Sequence, residues 1–259
     1  MNAEREVGEG VDLLLSSGFL AFARHAGVLA AIDAHEVRVN AVVGTSSGAL
    51  VGALWCAGMS PEAIGAALAD RPPWRFLRPA WNPWHGLFSL DPLLHWVRER
   101  LPERFDQLPR PFAAGVVGGD GVPRLLTDGD LPRAVVASCA IPWLFQPVST
   151  GGRRWQDGGV ADRLMFSPWE AWRGRRPVLV HLVKRTGGVD SPVPLDGLPV
   201  IRTPRSGASF FSLGDVAGSI DLARALAEAV IAEHALAGLR PAGDAARAGD
   251  APPRPAAPS

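Results

Sequence analysis

Gly44-Thr45-Ser46-Ser47-Gly48 lies at the seam between an apolar run and a long helical pattern, and its reading decides the fold. Before it, Val39 to Val43 read as a short buried strand. After it, Ala49-Leu50-Val51-Gly52-Ala53-Leu54-Trp55 read as helix. G-x-S-x-G in a strand-to-helix turn is the pattern of a nucleophile elbow. Gly44 and Gly48 let backbones pass close to a sharp turn, and the turn lifts the Ser46 hydroxyl above the sheet. The helix behind it turns backbone N–H groups and a positive dipole end toward any developing oxyanion. In a chain with 29 glycines the bare pattern also arises as a plain tight turn, so the strand and helix on either side carry the argument.

A second feature lies far downstream. Ala137-Ser138-Cys139-Ala140-Ile141-Pro142 precedes Leu144-Phe145-Gln146-Pro147-Val148, then Trp155-Gln156-Asp157-Gly158-Gly159. Asp-Gly is most often a hairpin turn. An Asp at a strand end, followed by two glycines, can also present its carboxylate to an open space. A serine nucleophile needs a base for its proton, and a carboxylate held against it serves.

With these residues in their order and spacing, the chain resembles the patatin-like phospholipases and acylhydrolases. The resemblance runs over roughly Val11 to Val183. It covers Leu13-Leu14-Leu15-Ser16 leading to Gly27-Val28-Leu29, Gly44 to Ala49, Ala137-Ser138, Ala140-Ile141-Pro142 and Asp157-Gly158-Gly159-Val160. It implies an α/β fold of three α/β/α layers with a mostly parallel central sheet. It also implies a Ser–Asp dyad without a catalytic histidine, with Ser46 as nucleophile and Asp157 as base. The implied substrate is a lipid or other acyl ester, with no metal or organic cofactor. One segment departs. Where that family has G-G-G-x-R/K-G after the first strand, this chain has Ser17-Gly18-Phe19-Leu20-Ala21-Phe22. Any residue but proline offers a backbone N–H, so the expected oxyanion donors are those of Ser17, Gly18 and Phe19. Phe19 and Phe22 restrict angles that glycine permits. Arg24 and His25 either supply charge to the site or lie on a solvated helix face. The departure also motivates a second reading, a catalytically impaired relative kept as a lipid-binding or interaction module.

Composition bounds the rest. Twenty-six basic and 26 acidic residues leave no net charge, which argues against nucleic acid as a partner and against strong attraction to anionic lipid. Cys56 and Cys139 are the only cysteines, too few for a disulfide framework or a metal cluster. Met1 to Gly10 has no apolar stretch of secretory type, and no run approaches a membrane span. A cytoplasmic protein is expected, with at most peripheral contact to a membrane surface.

Along the chain, Val11 to Leu15 reads as a strand and Phe22 to His35 as a helix. Ser60 and Pro61 restart a helix after about Gly58. Pro111 to Val117 and Pro123 to Leu126 read as a hairpin around Gly118-Gly119-Asp120-Gly121. Asp128 or Asp130 caps the next helix, Pro177 to Val183 is a buried strand, and Asp215 to Leu239 a long helix. Residues 1–240 read as one acylhydrolase-like domain, and 241–259, rich in Pro, Ala, Gly and Arg, as a disordered tail. Residues 71–105 hold Trp74, Trp81, Trp84 and Trp96 with Phe76, Phe88 and several prolines, and Asp91-Pro92 there caps a helix to about Leu101. This segment reads either as a lid at the mouth of the site or as a loop stapled down by buried aromatics. The six histidines show no H-x-x-x-H pair. His181 or His234 could complete a Ser-Asp-His triad in chain order. Against that, only one strand–helix unit precedes Ser46.

Overall fold

The computed structural model describes residues 10–185 and 193–237. The expectations for the N-terminal segment, Leu239 and the tail lie outside these.

Near-continuous apolar runs form strands that are covered on both faces. They are β1 (Val11–Leu15), β2 (Val39–Thr45), β5 (Phe112–Val117) and β9 (Val178–Val183); β10 (Val200–Thr203), at the sheet edge, buries only Ile201 and Thr203. Between β2 and β5 lie two short strands, β3 (Arg78–Pro79) and β4 (Phe88–Ser89), which pair with each other, and Phe88 also bridges to Phe145. The remaining strands are β6 (Pro123–Leu126), β7 (Val148–Thr150) and β8 (Arg153–Asp157). The main sheet runs β10-β9-β1-β2-β5-β8-β7, with β6 also paired to β5. The run from β10 to β5 is parallel, whereas β6, β7 and β8 pair antiparallel.

Alternation along the strands divides the core. Leu13, Leu15, Val42 and Phe112 face α1 (Phe22–Ala34), α2 (Ser47–Cys56), α3 (Pro61–Ala69), α4 (Asp91–Arg98), α5 (Leu131–Ser138) and α7 (Val216–Glu233). Leu14, Val43, Ala113 and Val180 face α6 (Phe166–Arg173), where Trp169 is fully buried. The result is three layers, helices on both faces of a mostly parallel sheet. On the α6 face, buried Asp12 accepts from Trp169 Nε1 and from Arg173 Nε, each at 2.9 Å.

Side chains cap three helices, at Ser60 and Asp130 as the sequence suggests and also at Asp215. Ser60 accepts from Ala63 N, Asp130 from Arg133 N, and Asp215 from Gly218 N. Asp91 differs from expectation. It is the first residue of α4 rather than its cap, and its carboxylate is bound to Arg78 at 2.6 Å.

The Trp/Pro-rich segment divides. Trp96 is buried with Leu90 and Leu93, and Phe76 meets Trp96 edge-on with ring centroids 5.5 Å apart. Trp81 and Trp84, by contrast, are 101% and 88% exposed.

Candidate active site

Parallel pairing brings the carboxyl ends of β1 and β2 together, with Leu15 opposite Gly44. Ser16 to Phe19 therefore run beside Thr45 and Ser46, at the end of the sheet where such folds bind ligands. Ser46 stands between β2 and α2 at φ 57°, ψ −121°. A non-glycine residue at positive φ is strained and persists only where its surroundings hold it. Here the surroundings are specific. The Ser46 N–H donates to Ser138 Oγ at 2.9 Å, and that hydroxyl donates to the Gly115 carbonyl at 2.6 Å. The Ser46 carbonyl accepts from Ala49 N and Leu50 N. The turn closes on itself: a Cβ on Gly44 would lie 2.4 Å from the Gly48 carbonyl oxygen, and one on Gly48 2.4 Å from that of Leu15.

Asp157 ends β8, next to β5 through the Val116 pairing. It is buried, its Oδ1 accepts from Gly159 N at 2.8 Å, and the Ser46 side chain faces it. Burial pushes the Asp157 carboxyl up to about 6, partly offset by the Ser46 hydroxyl and the Gly159 N–H. At neutral pH the group is mostly ionised and still basic enough to take a proton. Burial also pushes the neighbouring Cys139 thiol up, and that thiol points at the Ser46 carbonyl at 3.4 Å.

Ser46 opens into a cavity of about 110 Å³. Its walls are apolar: Phe22 and Leu50, then Phe76, Leu90 and Leu93 from the Trp/Pro-rich segment, then Ile141 and Phe145. That segment is thus a wall of the cavity.

The loop after β1 departs from expectation in three ways. Ser17 N–H is already bonded to the Arg163 carbonyl at 3.0 Å, so it has no proton to offer an oxyanion. The N–H groups of Gly18 and Phe19 have no partner among the described residues. Arg24 and His25 are buried rather than on a solvated face. His25 lends no positive charge, because burial pulls its imidazole down to about 3. Finally, Ser47, to which the sequence assigned no role, is bonded to this loop. Its hydroxyl donates to the Gly18 carbonyl at 2.7 Å and lies 3.2 Å from His25 Nε2.

Of the two triad candidates, His181 is buried against His25 and Thr203, and His234 caps the C-terminal end of α7. Neither is the partner of the Ser46 hydroxyl. Ser138, Arg163 and the His25–His181 contact were not singled out by sequence for the site. Ser138 was visible only inside a matched stretch, and the other two carry no local signal.

The patatin-like phospholipase profile matches residues 13–168, which includes Ser46 and Asp157. The chain belongs to this family. The uncharacterized NTE family protein Rv1063c of Mycobacterium tuberculosis is 32% identical over 164 residues, covering 61% of this chain and 45% of that protein. Rv2565, an uncharacterized NTE family protein of the same strain, is 29% identical over 173 residues, 62% of this chain and 28% of its own length. The chain thus spans less than half the length of these curated relatives. Among solved structures, VipD from Legionella pneumophila superposes with a TM-score of 0.54 at 13% identity, over 87% of this chain and 67% of that one. That likeness is one of fold, and a patatin-like α/β/α architecture is what the two share.

Proposed function

We propose that the protein is a serine acyl hydrolase that cleaves carboxylic esters of lipids through Ser46 and Asp157. The observation that carries this reading is a strained serine whose side chain faces a buried carboxylate at the mouth of an apolar cavity. Asp157 takes the hydroxyl proton as Ser46 Oγ attacks the ester carbonyl carbon. The carbonyl oxygen becomes an oxyanion, held by the N–H groups of Gly18 and Phe19. Collapse expels the alcohol, which receives the proton from Asp157 and leaves an acyl-Ser46. Water then gives a proton to Asp157 and attacks the acyl carbon. The acid departs as Ser46 regains its proton. The fatty acyl chain lies along the Leu50, Phe76 and Leu93 walls.

Membrane contact belongs to the same reading. Trp81, Trp84 and Trp143 are 101%, 88% and 87% exposed. Their two loops are tied together: Gln146 Nε2 donates to the Asn82 carbonyl at 3.1 Å, and Phe88 N to that of Leu144 at 3.0 Å. Trp143 is held at φ 69°, which keeps a bulky ring outward at some cost. Exposed indoles beside an apolar cavity suit a lipid–water boundary.

Labelling with a fluorophosphonate probe tests the chemistry. The native chain is expected to label, and Ser46→Ala to label not at all while keeping its circular dichroism spectrum. An unlabelled native chain supports instead the non-catalytic lipid-binding module. Hydrolysis by a folded Ser46→Ala variant would move the nucleophile elsewhere.

A further inference from the structure

Two clamps converge on the loop that replaces the family's glycine-rich segment. A peptide unit is planar and trans, so fixing a residue's carbonyl fixes the next residue's N–H on the opposite edge of the same plane. Arg163 Nη2 donates to the Ser17 carbonyl at 2.8 Å, which sets the direction of the Gly18 N–H. Ser47 Oγ donates to the Gly18 carbonyl at 2.7 Å, which sets that of the Phe19 N–H.

Behind Ser47 lies a buried chain of polar groups. His25 Nε2 is 3.2 Å from Ser47 Oγ, His25 Nδ1 is 2.8 Å from His181 Nδ1, and His181 Nε2 is 2.9 Å from Thr203 Oγ1. Both imidazoles are completely buried, and the Arg24 and Arg163 guanidiniums face them, so burial and charge keep both neutral. A neutral imidazole has one N–H and one acceptor nitrogen, and a hydroxyl has one proton. The Gly18 carbonyl can only accept, so the Ser47 proton is committed to it. Ser47 Oγ must then accept from His25 Nε2–H. His25 Nδ1 is left as an acceptor, so His181 donates through Nδ1–H. His181 Nε2 in turn accepts from the Thr203 hydroxyl. Every proton in the chain points one way, from Thr203 on β10 to the Gly18 carbonyl.

We propose that His25 and His181 are positioning residues: with Ser47 and Thr203 they form a one-directional relay that anchors the Gly18 carbonyl and so aims the Phe19 N–H at the oxyanion. The relay supplies by side chains the rigidity that a glycine-rich loop supplies by backbone shape. Aligned hydrogen bonds in a low-dielectric interior reinforce one another. Bond direction also explains why both histidines are kept in the core, where an unpaired imidazole is costly. The catalytic part of this proposal rests on the Ser46–Asp157 reading; the polarity of the relay does not.

The test has two arms. In the first, nitrogen-15 NMR of the full chain reads the tautomers directly. His25 is expected as the Nε2–H form and His181 as the Nδ1–H form, neither titrating between about pH 5 and 8. The Ser16 carbonyl also faces the His25 ring. A His25 found as Nδ1–H toward that carbonyl, or either ring titrating in that range, overturns the relay. In the second arm, Ser47→Ala and His25→Phe are each expected to lower kcat on a short p-nitrophenyl ester by roughly tenfold or more, as for a misplaced oxyanion donor. KM should stay within about twofold, because the ground-state ester does not use the donor. Ser47→Thr, which keeps the hydroxyl, should restore most of the kcat. The double variant should be no worse than the poorer single one, since both act through one bond. Additive losses, or a kcat unmoved by Ser47→Ala, would overturn the positioning role. If the native chain neither labels nor hydrolyses, the catalytic reading of Ser46 fails, while the tautomers still decide the relay.

Discussion

Burial of Asp157 ties activity and stability to the same proton. The carboxylate is the reactive form, so ester turnover is expected to rise with pH through about 6 and level off above it. A pH–rate profile on a soluble ester checks this. Stability runs the other way. The fold holds the carboxyl at about 6 against an ordinary 3.8, so the folded state prefers the protonated form. The stability that goes with this preference is complete below about pH 4 and is lost as pH rises through about 6, amounting to roughly 3 kcal/mol. Asp157→Asn removes the buried charge but keeps an oxygen for Gly159 N. It should cost at least about 10²-fold in kcat and yet raise the melting temperature at about pH 8, with the gain vanishing near pH 4. A lower melting temperature at pH 8 would show that the ionised carboxylate stabilises the fold. His25 acts oppositely. Its imidazole is held at about 3 against 6.5, so its stability is present above about 6.5 and lost as pH falls.

The loop from Ser17 to Phe22 is built for aromatic residues. Phe22 is buried in the cavity wall, and Phe19 meets Phe210 edge-on at 5.0 Å. Ala21 is fully buried, and a Cβ added at Gly18 would come within 2.9 Å of its methyl. Restoring the family pattern through Phe19→Gly, Ala21→Arg and Phe22→Gly together would empty the packed Phe22 site, break the Phe19–Phe210 contact and force a guanidinium into a filled one. Losing Phe22 alone is expected to cost about 3 kcal/mol or more. The triple variant should therefore melt earlier and gain no esterase activity. Thermal unfolding beside p-nitrophenyl ester assays decides this. A large gain in turnover would mean that the native loop is a decayed oxyanion hole. The elbow is equally intolerant: Gly48→Ala sets a Cβ against the Leu15 carbonyl, which is backbone and cannot yield cheaply.

Across the whole molecule, the cavity and the tied Trp81–Trp143 loops give the protein an apolar side that its net charge does not. With no net charge, attraction to a lipid surface should come from the indoles. Replacing Trp81, Trp84 and Trp143 by Ser should weaken sedimentation with zwitterionic vesicles. It should also lower turnover of long-chain or aggregated esters several-fold more than that of soluble short ones, since remote contacts matter only where the substrate reaches them. These side chains are nearly free of packing, so the melting temperature should hardly move. Equal losses on both substrate classes would assign the three rings to the fold. No helix among the described residues is long and apolar enough to cross a membrane.

Local pattern determined much of this protein. Apolar runs fixed β1, β2, β5 and β9, cap chemistry placed the start of α3 and, between Asp128 and Asp130, that of α5, and the elbow lay in five consecutive residues. Asp157 was singled out only beside the elbow and the family resemblance, because Asp-Gly by itself reads as a hairpin turn. Asp91 was misplaced by one position because capping competes with an ion pair to Arg78, a partner outside its own turn. The environment of Ser17, Ser47, Arg24 and His25 was decided only by the tertiary structure. His25 and His181 stand 156 positions apart, Ser17 and Arg163 146 apart, and no periodicity links such pairs. What brings them together is the β-sheet, which sets β9 beside β1 and leaves their ends in contact. Sequence specifies which groups can donate and accept, but the direction of each bond follows from which neighbour has no proton to give.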